Sequence, residues 1–262
     1  MSEMKQYPPG TFCWVELATS DAKAAKAFYG ELLDWKAEEQ EVPGGMFYNT
    51  MRHKGKAVAG LYGITAEMKS QGVPPHWLSY VSVANADETA AKAKSLGGTV
   101  IKDPFDVMDI GRMAVIQDPT KAMFAVWQPK NMQGAELVNE AGAFCWNELL
   151  TTDTAAAEKF YTGLFGWTAE KQEGGPMPYT MFMNGENMAA GMLSITKEMG
   201  EMPPNWMVYF SVKDCDGSVK RAEKMGATVI APPMDILEIG RMAALMDPQQ
   251  AAFSVIKLEN PQ

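Results

Sequence analysis

The sequence predicts an α+β fold made of four βαβββ modules grouped as two domains. Three observations carry that prediction. The stretch Phe12–Tyr29, Phe-Cys-Trp-Val-Glu-Leu and onward, returns as Phe144–Tyr161, Phe-Cys-Trp-Asn-Glu-Leu, with Trp14 and Trp146 standing 132 positions apart. Later motifs recur in the same order: Pro203-Pro204-Asn205-Trp206 answers Pro74-Pro75-His76-Trp77, Gly240-Arg241-Met242-Ala243 answers Gly111-Arg112-Met113-Ala114, and Asp247-Pro248 answers Asp118-Pro119. Within each half, the strand–helix–strand rhythm restarts after the Pro-Pro segment. A repeat of this kind fixes the architecture before any single motif is read.

Strand Phe12–Ala18 opens the first half, and Asp21 then caps an Ala-rich helix running to Leu33 with Phe28-Tyr29 on its buried stripe. Strands Trp35–Val42 and Met46–His53 flank the turn signal Pro43-Gly44-Gly45, and Lys56–Tyr62 completes the module. After the linker Ser70–Pro75 the second module reads as strand His76–Val83, helix Ala86–Leu96, and strands Thr99–Lys102, Arg112–Gln117 and Ala122–Trp127. The turn joining the last two is Asp118-Pro119-Thr120-Lys121. A polar, Gly-bearing stretch then separates the halves, giving domains at 10–129 and 142–258 with a connector at 130–141.

Composition narrows the function classes. Net charge is −9, which argues against a nucleic-acid backbone or an anionic membrane as partner. No apolar run approaches the roughly 18–20 residues needed to span a bilayer. The opening residues carry no apolar signal region, and three cysteines cannot all pair within one chain, so the expected setting is the reducing cytoplasm. The 21 methionines suit adaptable core packing.

Strand, Asp, Ala-rich helix, Phe-Tyr and a following Trp, closed by a strand–Asp-Pro–strand hairpin, resemble the vicinal oxygen chelate superfamily. That group holds glyoxalases, extradiol dioxygenases and bleomycin-resistance proteins. The resemblance implies glyoxalase-like domains in which two modules form a cup-shaped mixed sheet. It also implies a divalent metal at the cup's base, held by His, Gln or Glu. The matching positions here are Trp14, Leu78 and Ala125 in the first half, and Trp146, Met207 and Ser254 in the second. None supplies a conventional strong ligand. The two histidines, His53 and His76, have Asn184 and Asn205 as repeat equivalents. The sequence thus points to no metal and no cofactor.

What replaces the metal follows from strand alternation. Val15 and Leu17 share the face that packs on the helix, while Trp14 and Glu16 share the other. Trp146 and Glu148 repeat that pair, although Asn147 fits the helix face less well than Val15. Tyr80, Tyr209, Ser82 and Ser211 join the cup walls, with Met123 and Trp127 near the end of the first. A small-molecule site has this composition: apolar walls and a few placed polar groups. Glu16 and Glu148 have two readings, a desolvated base or ligand acceptor, and a structural acceptor within the sheet. Arg112 and Arg241 also have two, a clamp on an acidic ligand and a bridge to Asp109 or Glu238, or to the loop at Asp118 or Asp247. The expected partner is a small, partly apolar molecule bound by a monomer, or weak homodimer. Metal chemistry through substitute ligands (Glu16, Glu148 and His76) or acid–base catalysis by the glutamates is the alternative.

Overall fold

The repeat resolves into two eight-stranded mixed sheets, neither closed into a barrel, in a computed structural model that describes residues 2–172, 177–236 and 238–259. In chain order the first half contains β1 (Ser2–Glu3), β2 (Phe12–Thr19), α1 (Ala22–Leu33), β3 (Lys36–Val42), β4 (Met46–His53), β5 (Lys56–Gly63), α2 (Ala66–Ser70), β6 (His76–Ser82), α3 (Ala86–Ser95), β7 (Thr99–Val107), β8 (Gly111–Gln117) and β9 (Met123–Pro129). The connector carries β10 (Leu137–Val138). The second half contains β11 (Phe144–Thr151), α4 (Thr154–Phe165), β12 (Thr168–Gln172), β13 (Tyr179–Asn184), β14 (Asn187–Ser194), β15 (Asn205–Ser211), α5 (Cys215–Lys224), β16 (Thr228–Ile236), β17 (Gly240–Met246) and β18 (Ala252–Leu258).

Strand order is β3-β4-β5-β2-β6-β9-β8-β7 in the first sheet and β12-β13-β14-β11-β15-β18-β17-β16 in the second. The opening strands of the two modules, β2 and β6, therefore pair antiparallel at the centre, and each is flanked by its own module's last strand running parallel. Asp21 and Asp153 cap α1 and α4 by accepting from the amides of Ala24 and Ala156. The outer strands β7 and β16 run longer than their hydrophobic pattern predicts. Register shifts around Pro104 and around Pro232-Pro233 let pairing resume beyond residues that cannot donate.

All four longer helices pack on the same face of their sheets, the face bearing Val15, Leu17 and Trp77, and there the two halves meet. Tyr29 from α1 donates to Asp247 Oδ2 of the second half (2.9 Å) and accepts from Trp77 Nε1 (3.0 Å). Tyr161 from α4 mirrors it, donating to Asp118 Oδ2 (2.9 Å) and accepting from Trp206 Nε1 (2.8 Å). Each aspartate's other oxygen closes its own hairpin turn: Asp118 Oδ1 accepts from the amides of Thr120 and Ala122, and Asp247 Oδ1 from those of Gln249 and Ala251. The repeated Phe-Tyr, Asp-Pro and Pro-Pro-x-Trp motifs are thus one contact made twice. Asn147 finds its reason at the same junction, where it accepts from Ser79 Oγ of the first half (2.5 Å).

A second reciprocal contact uses the tryptophan after each helix. Trp35 Nε1 donates to Gly142 O (2.6 Å), and Trp167 Nε1 donates to Gly10 O (2.9 Å). Gly142 has φ +94° and lies against the His53 ring, so a side chain there is excluded both by conformation and by space. His53 Nδ1 is bonded to Asp34 O (3.0 Å), which makes this histidine a packing element of the junction. The connector expected at 130–141 is not a free tether. Ala135 N donates to Cys13 O, Tyr7 hydroxyl donates to Ala135 O, and β10 pairs with β1.

Removing one junction phenol leaves a buried aspartate oxygen and an indole N–H without partners. Tyr29→Phe and Tyr161→Phe are each expected to cost about 1–3 kcal/mol of folding free energy. Equilibrium urea unfolding measures this directly.

Candidate functional site

The face of each sheet away from the helices carries the cup. On β2, Trp14 and Glu16 point there, as alternation predicts. Register sets Tyr80 opposite Trp14, and Leu78 and Gly60 on either side of Glu16. Ala125 and Trp127 follow on β9. The carboxylate of Glu16 is held by two phenols: Tyr48 donates to Oε2 (2.7 Å) and Tyr80 to Oε1 (2.9 Å). Trp14 Nε1 donates in turn to the Tyr48 oxygen (3.3 Å). Gly60 makes this possible, because a Cβ there would overlap the Tyr48 hydroxyl.

The second cup repeats the device. Tyr209 donates to Glu148 Oε1 (2.7 Å), Trp146 Nε1 donates to the Tyr179 oxygen (3.2 Å), and Gly191 leaves the space that Tyr179 fills. The Tyr179 hydroxyl also favours the charged form of Glu148. Tyr48 and Tyr179 were not among the residues singled out from the sequence as site candidates. Their recurrence in register with Gly60 and Gly191 was the available signal.

Burial pushes both glutamates above the ordinary carboxylate range, and the phenol hydrogen bonds pull them back down. Tyr80 and Tyr209 are pushed well above the usual phenol range, first by burial and then by the adjacent glutamate charge. The phenols therefore keep their protons and donate them. Each cup presents a fixed acceptor, able to take a hydrogen bond from a ligand hydroxyl or, on gaining a proton, to give one.

The two arginines lie elsewhere. Met113 faces the cup with Trp127, so Arg112 faces the helices. Its guanidinium grips Asp87 in the first turn of α3 (Nε 2.6 Å, Nη2 2.8 Å) and also donates to Pro104 O. Arg241 grips Asp216 of α5 in the same way (2.6 and 3.0 Å) and adds Asp235 (2.9 Å). The ligand-clamp reading of these arginines fails on geometry. The bridging one holds with different partners, at a helix N-terminus where a carboxylate is already favoured. His76 Nδ1 bonds to Pro74 O (2.8 Å), the tie that Asn205 Nδ2 makes to Pro203 O (2.9 Å), and burial lowers its pKa. Trp127 does border the first cup, edge-on to Tyr80 with ring centroids 6.4 Å apart.

A model of the Glyoxalase/Bleomycin resistance protein/Dioxygenase superfamily matches residues 11–126 and 144–255. The chain belongs to this superfamily. It is 39% identical over 259 residues to CFP32 of Mycobacterium tuberculosis (strain CDC 1551 / Oshkosh), named as a candidate glyoxylase, with 98% of each chain covered. It is 34% identical over 270 residues to the anthracycline biosynthesis protein DauV of Streptomyces sp. (strain C5), covering 97% of this chain and 96% of that one. In space it is similar to a Mn(II)-bound glyoxalase from Novosphingobium aromaticivorans, with a TM-score of 0.65 at 14% identity, covering 97% and 86% of the two chains. That last likeness is one of fold.

The metal that this superfamily suggests does not fit the donors present. Each cup offers one carboxylate, and both oxygens of Glu16 are engaged by phenols. Among the described residues, no three His, Cys, Asp or Glu side chains converge to hold an ion.

A raised folded-state pKa means that the folded protein holds its proton more tightly than the unfolded chain. The stability it contributes is present at low pH and is lost as pH rises through the folded value. Glu16→Gln and Glu148→Gln, which are neutral at every pH, should gain stability relative to the parent as pH rises from 5 to 8. Urea midpoints across that range measure the trend, and a difference that does not vary with pH would show ordinary titration instead.

Proposed function

We propose that the protein binds a small, ring-bearing, partly apolar molecule in an aromatic cup, without a metal. The observation that carries this reading is a glutamate fixed by phenols at the base of an apolar wall in both halves, Glu16 by Tyr48 and Tyr80 and Glu148 by Tyr209. A carboxylate with fixed neighbours and a covering of Trp, Tyr and Met suits a ligand with a flat apolar body and a hydroxyl donor. The kinship with a protein named for anthracycline biosynthesis supports probing with hydroxylated polycyclic aromatics.

Acid–base catalysis on such a ligand is the second reading, and the raised pKa of Glu16 and Glu148 favours it. Three free cysteines accord with a reducing compartment, where the cytoplasm is the proposed location. No helix among the described residues is long and apolar enough to cross a membrane. The charge of −9 disfavours nucleic acid, and the two halves already pair internally, so a monomer or weak homodimer is the proposed state.

The test is tryptophan-fluorescence quenching and isothermal titration calorimetry with 2-naphthol and 1,4-dihydroxyanthraquinone, in chelator. Saturable binding is expected, weakened tenfold or more (about 1.4 kcal/mol) in the protein carrying both Glu16→Gln and Glu148→Gln. Binding that appears only after metal loading would sink the metal-free reading. Intact affinity with lost turnover of the bound compound would favour acid–base chemistry.

A further inference from the structure

The two cups carry the same carboxylate but not the same walls. Tyr62, Ala125 and Trp127 of the first are replaced by Leu193, Ser254 and Ile256 of the second. In the first cup Trp127 fills space: its ring lies over Gly111, where a Cβ would overlap it, and Nε1 donates to Met132 O of the connector (2.9 Å). The connector also lies along the start of β2, with Ala135 N bonded to Cys13 O (2.7 Å). Cys13 and Trp14 are accordingly buried, whereas Cys145 and Trp146 are partly exposed, although the carboxylates run the other way, Glu16 partly exposed and Glu148 buried. The first cup's apolar side chains run continuously into the main core. Those of the second form a cluster of their own, centred on Met207, Tyr209, Met242 and Ile256.

Two further observations point to a ligand in the second cup alone. Ser254 sits on its wall beside Tyr209, where the first cup has Ala125. It is 1% exposed, and its hydroxyl lies against the Tyr209 phenol, near enough to ease that phenol's ionisation but without a well-aligned hydrogen bond. A buried hydroxyl without a partner is costly unless something else supplies one. Next to the cup, a surface cleft of about 600 Å³ is lined by Thr152, Thr196, Lys197 and Met202. It is shallow and open to solvent, an approach to the cup rather than an enclosed site. Ile195 and Met202 belong both to the cleft wall and to the apolar cluster, so cleft and cup share a boundary.

We propose that the cups have diverged: the second, around Glu148 and Ser254, is the ligand site, entered through the Ile195–Pro203 loop, and the first is a structural copy filled by Trp127. The proposal rests on the small-molecule reading above and deepens it. The ligand is a neutral, ring-bearing molecule with at least one hydroxyl, which donates to the Glu148 carboxylate while a second polar atom meets Ser254 Oγ.

The experiment is calorimetric titration of the full chain with 2-naphthol and 1,4-dihydroxyanthraquinone. One site per chain is expected. Ile256→Trp, which rebuilds the first cup's filling, should weaken binding tenfold or more. Ser254→Ala, a change of one atom that the fold tolerates, should weaken it about three- to tenfold, and Tyr62→Leu should leave it within twofold. Thermal melts establish that each variant is folded. Two sites per chain, or loss of binding in Tyr62→Leu with none in Ser254→Ala and Ile256→Trp, would overturn the assignment while leaving the small-molecule reading intact. No binding of either probe by the parent protein removes both.

Discussion

A phenol from each half is donated to a buried aspartate of the other, and the architecture hangs on that exchange. Tyr29 reaches Asp247 and Tyr161 reaches Asp118, each phenol also accepting an indole N–H from its own half. Because the aspartates simultaneously close the β8–β9 and β17–β18 turns, the last hairpin of each half is fixed by a helix belonging to the other half. Burial raises both carboxyls, and the surrounding donors oppose that shift. The polar atoms are therefore satisfied only when both halves are folded and docked. Aromatic packing around them, with Tyr29 edge-on to Trp77 and Tyr161 edge-on to Trp206, gives the junction its apolar bulk.

Docking the helix faces together leaves the opposite faces of both sheets available for other work. There the same residue types serve a different end. In the junction a tyrosine donates to aspartate to close a fold. In the first cup Tyr48 and Tyr80 donate to Glu16, and in the second Tyr209 donates to Glu148, holding each acid at a set position. Gly60 and Gly191 matter for the second arrangement, since any side chain would displace the phenol that orients the acid. An acceptor held this way needs no rearrangement when a ligand arrives, which limits the entropy lost on binding.

Much of this was legible in the sequence, and the limits have physical causes. The repeat gave the modules and their order, and period-two alternation placed Trp14, Glu16, Trp146 and Glu148 on the cup face. The same alternation, applied to Gly-Arg-Met-Ala, would have turned Arg112 away from Trp127's face; the motif's recurrence alone left a ligand clamp and a structural bridge both open. The partners of Glu16 were not legible, because Tyr48 meets it only through the β2–β5 and β4–β5 registers, which no local pattern displays. Asp118 and Asp247 read correctly as turn residues. Their second bonds cross 43 and 218 positions of chain, beyond the reach of any local reading. Asn147 looked out of place on an apolar face until Ser79 from the other half came into contact with it.

Two open sheets of eight strands leave four free edges, at β3, β7, β12 and β16. An unpaired edge is a template on which another chain can add a strand. Here the outer strands of one kind, β3 and β12, are written largely in charge, with Glu38, Glu39, Glu41, Glu170 and Lys171 along them. The others, β7 and β16, expose apolar residues such as Ile101 and Ile230, but prolines interrupt their ladders at the register shifts. Charge repels an incoming strand and proline denies it donors, so a fold rich in exposed backbone is guarded against stacking into fibres. The chain can therefore carry its apolar edge residues without needing a barrel to hide them.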